Sequence, residues 1–233
     1  MKPVFVFWIT LLGLCSCKHR LYEGATTEDF RSLEQYHSLS IIGKFDVRIQ
    51  PDLSSDILFI APEDALKNLI AEIEDGKLVV YHNDSSGYLS QEIELHIRND
   101  SLRKLELYGH VNFSGSFKNE DSLSVKYSGY GSVRCETYSE FIETAISGSA
   151  DVVFRGDCSE HDLDVRFDEK REMNFSELKT NHLNVKVKGK GGIVVFVTGF
   201  LDATVRGSGY IHYLGNPEKV ATSLFGSGEI KPL

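Results

Sequence analysis

Gly207-Ser208-Gly209-Tyr210-Ile211 returns 19 residues later as Gly226-Ser227-Gly228-Glu229-Ile230. The same phrase stands upstream as Gly189-Lys190-Gly191-Gly192-Ile193, Gly148-Ser149-Ala150-Asp151-Val152, Gly129-Tyr130-Gly131-Ser132-Val133 and Gly109-His110-Val111-Asn112-Phe113. Between Gly148 and Gly189 lies a defaced copy, Glu169-Lys170-Arg171-Glu172-Met173. Counted from the first residue of each copy, the steps are 20, 19, 21, 20, 18 and 19 residues. Self-similarity at this period is the mark of a stacked architecture, in which each repeat is one coil.

The residues before each phrase alternate. Leu183, Val185 and Val187 precede Gly189, and Leu201, Ala203 and Val205 precede Gly207. Asn184, Lys186, Asp202 and Thr204 stand between them. A period of two puts the apolar set inward and the polar set outward on a strand. The fifth position of every copy is apolar again, from Phe113 to Ile230, so a second strand follows the phrase. Gly109, Gly129, Gly148, Gly189, Gly207 and Gly226 read as structural corners, where a Cβ would clash. Equal corners stack like strands over like strands, in parallel, roughly 4.8 Å apart. The fold expected is therefore all-β, a parallel β-helix or solenoid of about seven coils of 18–21 residues.

Residues 30–100 lack the phrase but are also β-rich. Leu39–Ile49, Ile57–Ile60, Lys77–Tyr81 and Ile93–Ile97 read as strands, and Asp75-Gly76 reads as a turn. Pro62–Glu74 reads as one short helix, with Leu66, Leu69, Ile70 and Ile73 on one face. This N-terminal part (30–100) is expected to cap the repeat coils (101–233), because an open solenoid end is a bare strand edge. At the other end Pro232 has no amide to offer a further strand.

The first residues are read separately. Lys2 and the apolar run Val4–Leu14 end in Leu14-Cys15-Ser16-Cys17. The run is too short to span a bilayer and reads as a signal peptide, residues 1–16. Its end resembles a bacterial lipobox, which implies cleavage before Cys17 and lipid attachment at Cys17. Residues 17–29 then form a polar tether. The chain's net charge of −9 argues against nucleic acid, which needs a basic face. Cys135 and Cys158 fall at non-equivalent places in their coils and read as a core residue and a turn residue, with a bridge left open. No cofactor or metal motif is present.

Three parts of the chain resemble the bacterial "putative auto-transporter adhesin, head GIN domain" family. They are the opening Leu39–Gln50, the Ala61-Pro62 segment leading to Asp75–Val80, and the glycine-cornered coils ending at Ile230. The resemblance spans about residues 30 to 233 and implies a right-handed parallel β-helix on an envelope-anchored protein of a Gram-negative bacterium. It supplies no catalytic residues, and the fourth coil departs from its pattern.

That coil carries Asp168, Glu169, Lys170 and Arg171. The run reads either as a bulged, solvated loop or as a ligand site, since β-helix proteins acting on acidic polysaccharides group such side chains on one face. His161 and His182 precede equivalent strands in adjacent coils and read either as a metal pair at a corner or, as the leading reading, as corner histidines in water. Tyr130 and Tyr210, at variable places in the phrase, read either as packing or as platforms for sugar rings. The leading function is a non-catalytic binding, adhesion-like or scaffold role towards glycan or envelope protein, from a lipid anchor on the outer membrane, periplasmic face favoured. The alternative is a carbohydrate-active enzyme built on the fourth coil. A second copy, joined through strand edges, is a further partner reading.

Overall fold

The computed structural model describes residues 20–21, 25–83, 87–88, 92–118 and 121–233. The segment read as a signal peptide, residues 1–16, and Cys17 lie outside the described residues. In chain order the elements are β1 (Arg20–Leu21), β2 (Thr26–Ser32), β3 (Ser38–Gln50), β4 (Asp56–Pro62), α1 (Glu63–Lys67), β5 (Leu69–Glu74), β6 (Lys77–His82), β7 (Gly87–Tyr88) and β8 (Ile93–Arg98). There follow β9 (Lys104–Phe117), β10 (Ser122–Phe167), β11 (Glu172–Gly189), β12 (Gly192–Gly207), β13 (Tyr210–Leu214), β14 (Lys219–Gly226) and β15 (Glu229–Pro232). The strands run through the corners, which is why β10 extends for 46 residues.

The repeat half is a β-solenoid of about six turns. Each coil pairs in parallel with the next: Gly109 with Gly129, Gly189 with Gly207, and Gly207 with Gly226. The alternation expected from sequence holds in the ladders. Leu183, Val185 and Val187 are buried, as are Leu201, Ala203 and Val205 above them. The corner glycines have two reasons to be glycine. Gly189 has φ +109°, and a Cβ there would overlap the backbone carbonyl of Phe167 in the coil beneath. The other corner glycines repeat this pair of constraints down the column.

The stack starts earlier than the phrase suggests. β3 pairs in parallel with β9 from Ser38–Lys104 to Ile49–Gly115, which places Gly43 under Gly109. β6 and β8 pair in parallel with the two halves of β3. Beyond them the direction changes. β5 lies antiparallel on β6, β4 antiparallel on β8, and β2 antiparallel on β4. These antiparallel strands cover the first edge of the stack.

Two readings are corrected here. The helix is confined to Glu63–Lys67, and Leu69–Glu74 is strand β5. Asp75 (φ +50°) and Gly76 (φ +72°) form a tight hairpin turn that lays β5 on β6. Pairing satisfies the backbone of residues 69–74 and overrides their helical spacing. The second correction is the register of the fourth coil. Phe167, not Glu169, pairs with Gly189, and Leu163 pairs with Val185 rather than Leu183. Glu172 pairs with Gly192, so five residues span here what three span in the next coil.

The last coil is open. Val220, Thr222 and Leu224 continue the ladder of Leu201, Ala203 and Val205, yet Val220 is 40% and Leu224 51% exposed. Glu229 and Leu233 donate their amides to the carbonyls of Gly209 and Tyr213, at 3.2 and 3.0 Å. Alternation turns the nitrogen of Pro232 to the opposite, open side, where an amide would invite another strand.

Candidate functional site

The two-residue surplus of the fourth coil sits at its corner, and it explains the charged run. With Phe167 in the glycine column, the chain leaves the corner without a left-handed residue. The Phe167 side chain turns inward and lies against Gly191 of the following coil, where a Cβ would overlap its ring. Asp168, Glu169 and Lys170 are exposed. Arg171 folds back over the preceding coil. Its guanidinium donates to the Ser149 carbonyl and pairs with Asp151 at 3.2 Å. Arg171 is thus a staple between coils, and no ion pair among the described residues gathers Asp168, Glu169 and Lys170 around a common point.

Tyr130 and Tyr210 sit in different surroundings, separated by several coils. Tyr130 is 59% exposed and rests on His110, ring centroids 4.7 Å apart. Tyr210 lies over Gly192, which has no side chain to hold it off. Its hydroxyl reaches past that glycine and donates to Glu172 at 2.5 Å. Burial, with the Glu172 carboxylate beside it, pushes the phenol up to about 12, so it stays a donor. On its other side the ring stacks on His212, at 4.4 Å, and His212 meets Glu229 at 2.8 Å. Tyr210 is therefore locked in place, whereas Tyr130 offers a free face.

The histidine expectation holds for the exposed His182 but not for His161. His161 lies in the inner ladder, paired with Leu183, and is 2% exposed. Its Nε2 is 3.0 Å from the Thr144 hydroxyl. Burial pushes the imidazole down to about 3, which keeps it neutral. His182, one residue further round, is exposed and pairs with Glu160 in the ladder. The slip of two residues in the fourth coil is the cause, since it moves position 161 into the place of Leu183.

Cys158 is likewise a strand residue, not a turn residue. It is buried with its sulfur 3.4 Å from the Thr180 hydroxyl, and Cys135 is buried a coil below. Both thiols are free, and burial raises both out of the reactive range.

The register also assembles a feature that the alternation alone does not. The outward residues just before the corners form a column in which Arg166, Lys188 and Arg206 are direct ladder neighbours. Lys186 stands beside them, paired with Asp164 in the ladder. Sequence marks each of these as outward. Only the two-residue shift of the fourth coil lines up Arg166 with Lys188.

Residues 35–217 match the family described as "Putative auto-transporter adhesin, head GIN domain". Among solved structures, the chain resembles a "putative adhesin" from Bacteroides fragilis, with a TM-score of 0.84 at 18% identity over 92% of this chain and 100% of the other. It also resembles a "putative adhesin" from Parabacteroides distasonis, with a TM-score of 0.70 at 18% identity over 93% of this chain and 100% of the other. A "putative lipid binding protein" from the same species gives 0.69 at 20% identity over 93% and 100%. At these identities the likeness is one of fold. Comparison with curated proteins returned no match.

Proposed function

We propose, given that this chain belongs to the head GIN domain family, that it is a non-catalytic binding module of the cell envelope, held to a membrane by a lipid on Cys17. The family description supports an adhesion-like role at the envelope or cell surface. The finer reading, a module that presents ridged solenoid faces to glycan or envelope protein, rests on one observation. Outward side chains stand in register from coil to coil, as the pairing of Arg166, Lys188 and Arg206 illustrates. Such faces suit extended partners with a repeat of their own, because each coil offers the same position again about 4.8 Å further on. The exposed ring of Tyr130 over His110 adds an aromatic platform on the same body.

The test is binding by the purified chain to a glycan panel and to isolated envelope fractions, with turnover of each glycan followed in parallel. Saturable binding without turnover is the expected result. Turnover that is lost when Asp168, Glu169 and Arg171 are replaced together would overturn it in favour of an enzyme. For the anchor, Cys17→Ser should release the protein from membranes in fractionated cells. Protease shaving of intact cells then reports the side, with protection expected for a periplasm-facing anchor.

A further inference from the structure

The chain carries a net charge of −9, yet one outer face concentrates cations. Arg166, Lys188 and Arg206 are consecutive ladder neighbours, and the exposed Lys186 lies in the adjoining column. Like charges opposed in register are destabilising, and strand neighbours stand only about 4.8 Å apart. Little on the protein relieves them. One ion pair among the described residues reaches the set, Asp164 to Lys188 at 3.1 Å. Arg206 lies over the Phe225 ring at 4.6 Å, a contact that holds the guanidinium without neutralising it.

Next to this ladder the surface dips. Ser128, Ala145 and Ser147 are small, and the two serine hydroxyls are 3.0 Å apart. The depression has Tyr108 and Lys126 along one side and Arg166, Lys188 and the Asp164 carboxylate that pairs with Lys188 along the other. The Lys126 ammonium sits 5.9 Å from the Tyr108 ring centroid. The floor is shallow and open, with the serine hydroxyls set among Tyr127, Ala145 and Ile146. It suits a hydroxylated ring, whose apolar face can lie on the aromatic wall while its hydroxyls meet the serines.

We infer that this face, from Tyr108 and Lys126 to Arg206, binds an acidic polysaccharide whose carboxylate or sulfate groups recur along the chain. The polymer runs along the stack, with Arg166, Lys188 and Arg206 of three consecutive coils meeting its anions and a sugar ring seated in the serine-floored depression. The inference rests on the binding-module reading and names the ligand class for it.

The experiment is calorimetric titration of the full chain with polygalacturonate and, in parallel, with neutral dextran. Wild type should bind polygalacturonate, weakening by about tenfold or more as salt rises from about 50 to about 500 mM, because exposed charges are screened over that range. The triple variant Arg166→Gln, Lys186→Gln, Arg206→Gln should lose about tenfold or more at low salt, as expected when several solvent-exposed charge contacts are removed together. The double variant Arg166→Lys, Arg206→Lys should keep most of the binding, which separates lost charge from lost fold. Equal binding by wild type and triple variant overturns the inference. So does binding to phosphatidylglycerol vesicles in place of polygalacturonate, which would make the face a membrane contact. If no polyanion binds while the glycan panel still registers a neutral ligand, this inference fails and the binding-module reading stands. If neither binds and envelope fractions are not retained, the reading itself falls.

Discussion

At the scale of the residue, two positions separate crowding from backbone conformation. Gly76 and Gly189 both have positive φ, but a Cβ at Gly76 meets nothing within 4 Å, whereas at Gly189 it meets the Phe167 backbone. Gly76→Ala should therefore cost about 1 kcal/mol, the conformational term alone. Gly189→Ala should cost about 3 kcal/mol or more, since the coil beneath must also move. Urea denaturation of both variants checks the difference. His161 makes a second residue-scale prediction. Its folded value is about 3 and its ordinary value 6.5, so between these the unfolded chain takes up the proton first. Stability from this residue is complete above about pH 6.5 and falls as pH drops towards 3, by up to roughly 5 kcal/mol at 1.36 kcal/mol per unit. His161→Leu should flatten that loss in denaturation midpoints measured from neutral to acid pH. A wild-type midpoint that is no more acid-sensitive than the variant's would refute the buried neutral imidazole.

The fourth coil is where the element scale matters. Its charged run looks uniform in sequence, but the structure divides it. Arg171 bonds the previous coil, while Asp168, Glu169 and Lys170 are solvated. Arg171→Ala should cost about 1 kcal/mol, the net worth of a partly exposed charged hydrogen bond. Alanine at 168, 169 and 170 together should stay within about 0.5 kcal/mol of wild type. Thermal melts of the two variants decide it, and equal losses would show the run acting as one unit. The same coil shows why its register was not legible. The defaced phrase keeps Met173 where every other copy has an apolar fifth residue, and that match pulls the origin to Glu169. The strand before the corner is registered independently by Leu163, Val165 and Phe167, and the surplus residues lie between. The helix reading failed for a related reason. Leu69 to Glu74 fits a helical face, but the Asp75-Gly76 turn offers the backbone a partner strand.

At the scale of the whole molecule, the two ends of the stack differ. Antiparallel strands cover the first edge, whereas the last coil leaves Leu224 at 51% and Phe225 at 55% exposure. A head-to-tail stack of copies is blocked by the covered end, so self-association through this patch would join last coil to last coil and close at a dimer. Leu224→Ser with Phe225→Ser should lower the light-scattering mass of concentrated protein towards the monomer. The melting temperature should fall by only a few degrees, because each side chain is about half in water and covers only Val205 and Arg206 beneath it. A mass that is monomeric in wild type at all concentrations removes the patch as a self-association surface.

What the sequence determined by itself was everything that repeats. The glycine period, the alternation before each corner and the apolar fifth position follow from constraints that the coils share, so the glycine is written six times and the apolar fifth position seven. What only the tertiary structure decided was everything that depends on one coil's offset from the next. Placing His161 in the core, stapling Arg171 to Ser149 and lining up Arg166, Lys188 and Arg206 all hang on a two-residue surplus at a single corner. Local periodicity is blind to such a surplus, because a loop absorbs it without disturbing the strand on either side. Ladder pairing is not, since each hydrogen bond fixes which residue of one coil stands on which residue of the next.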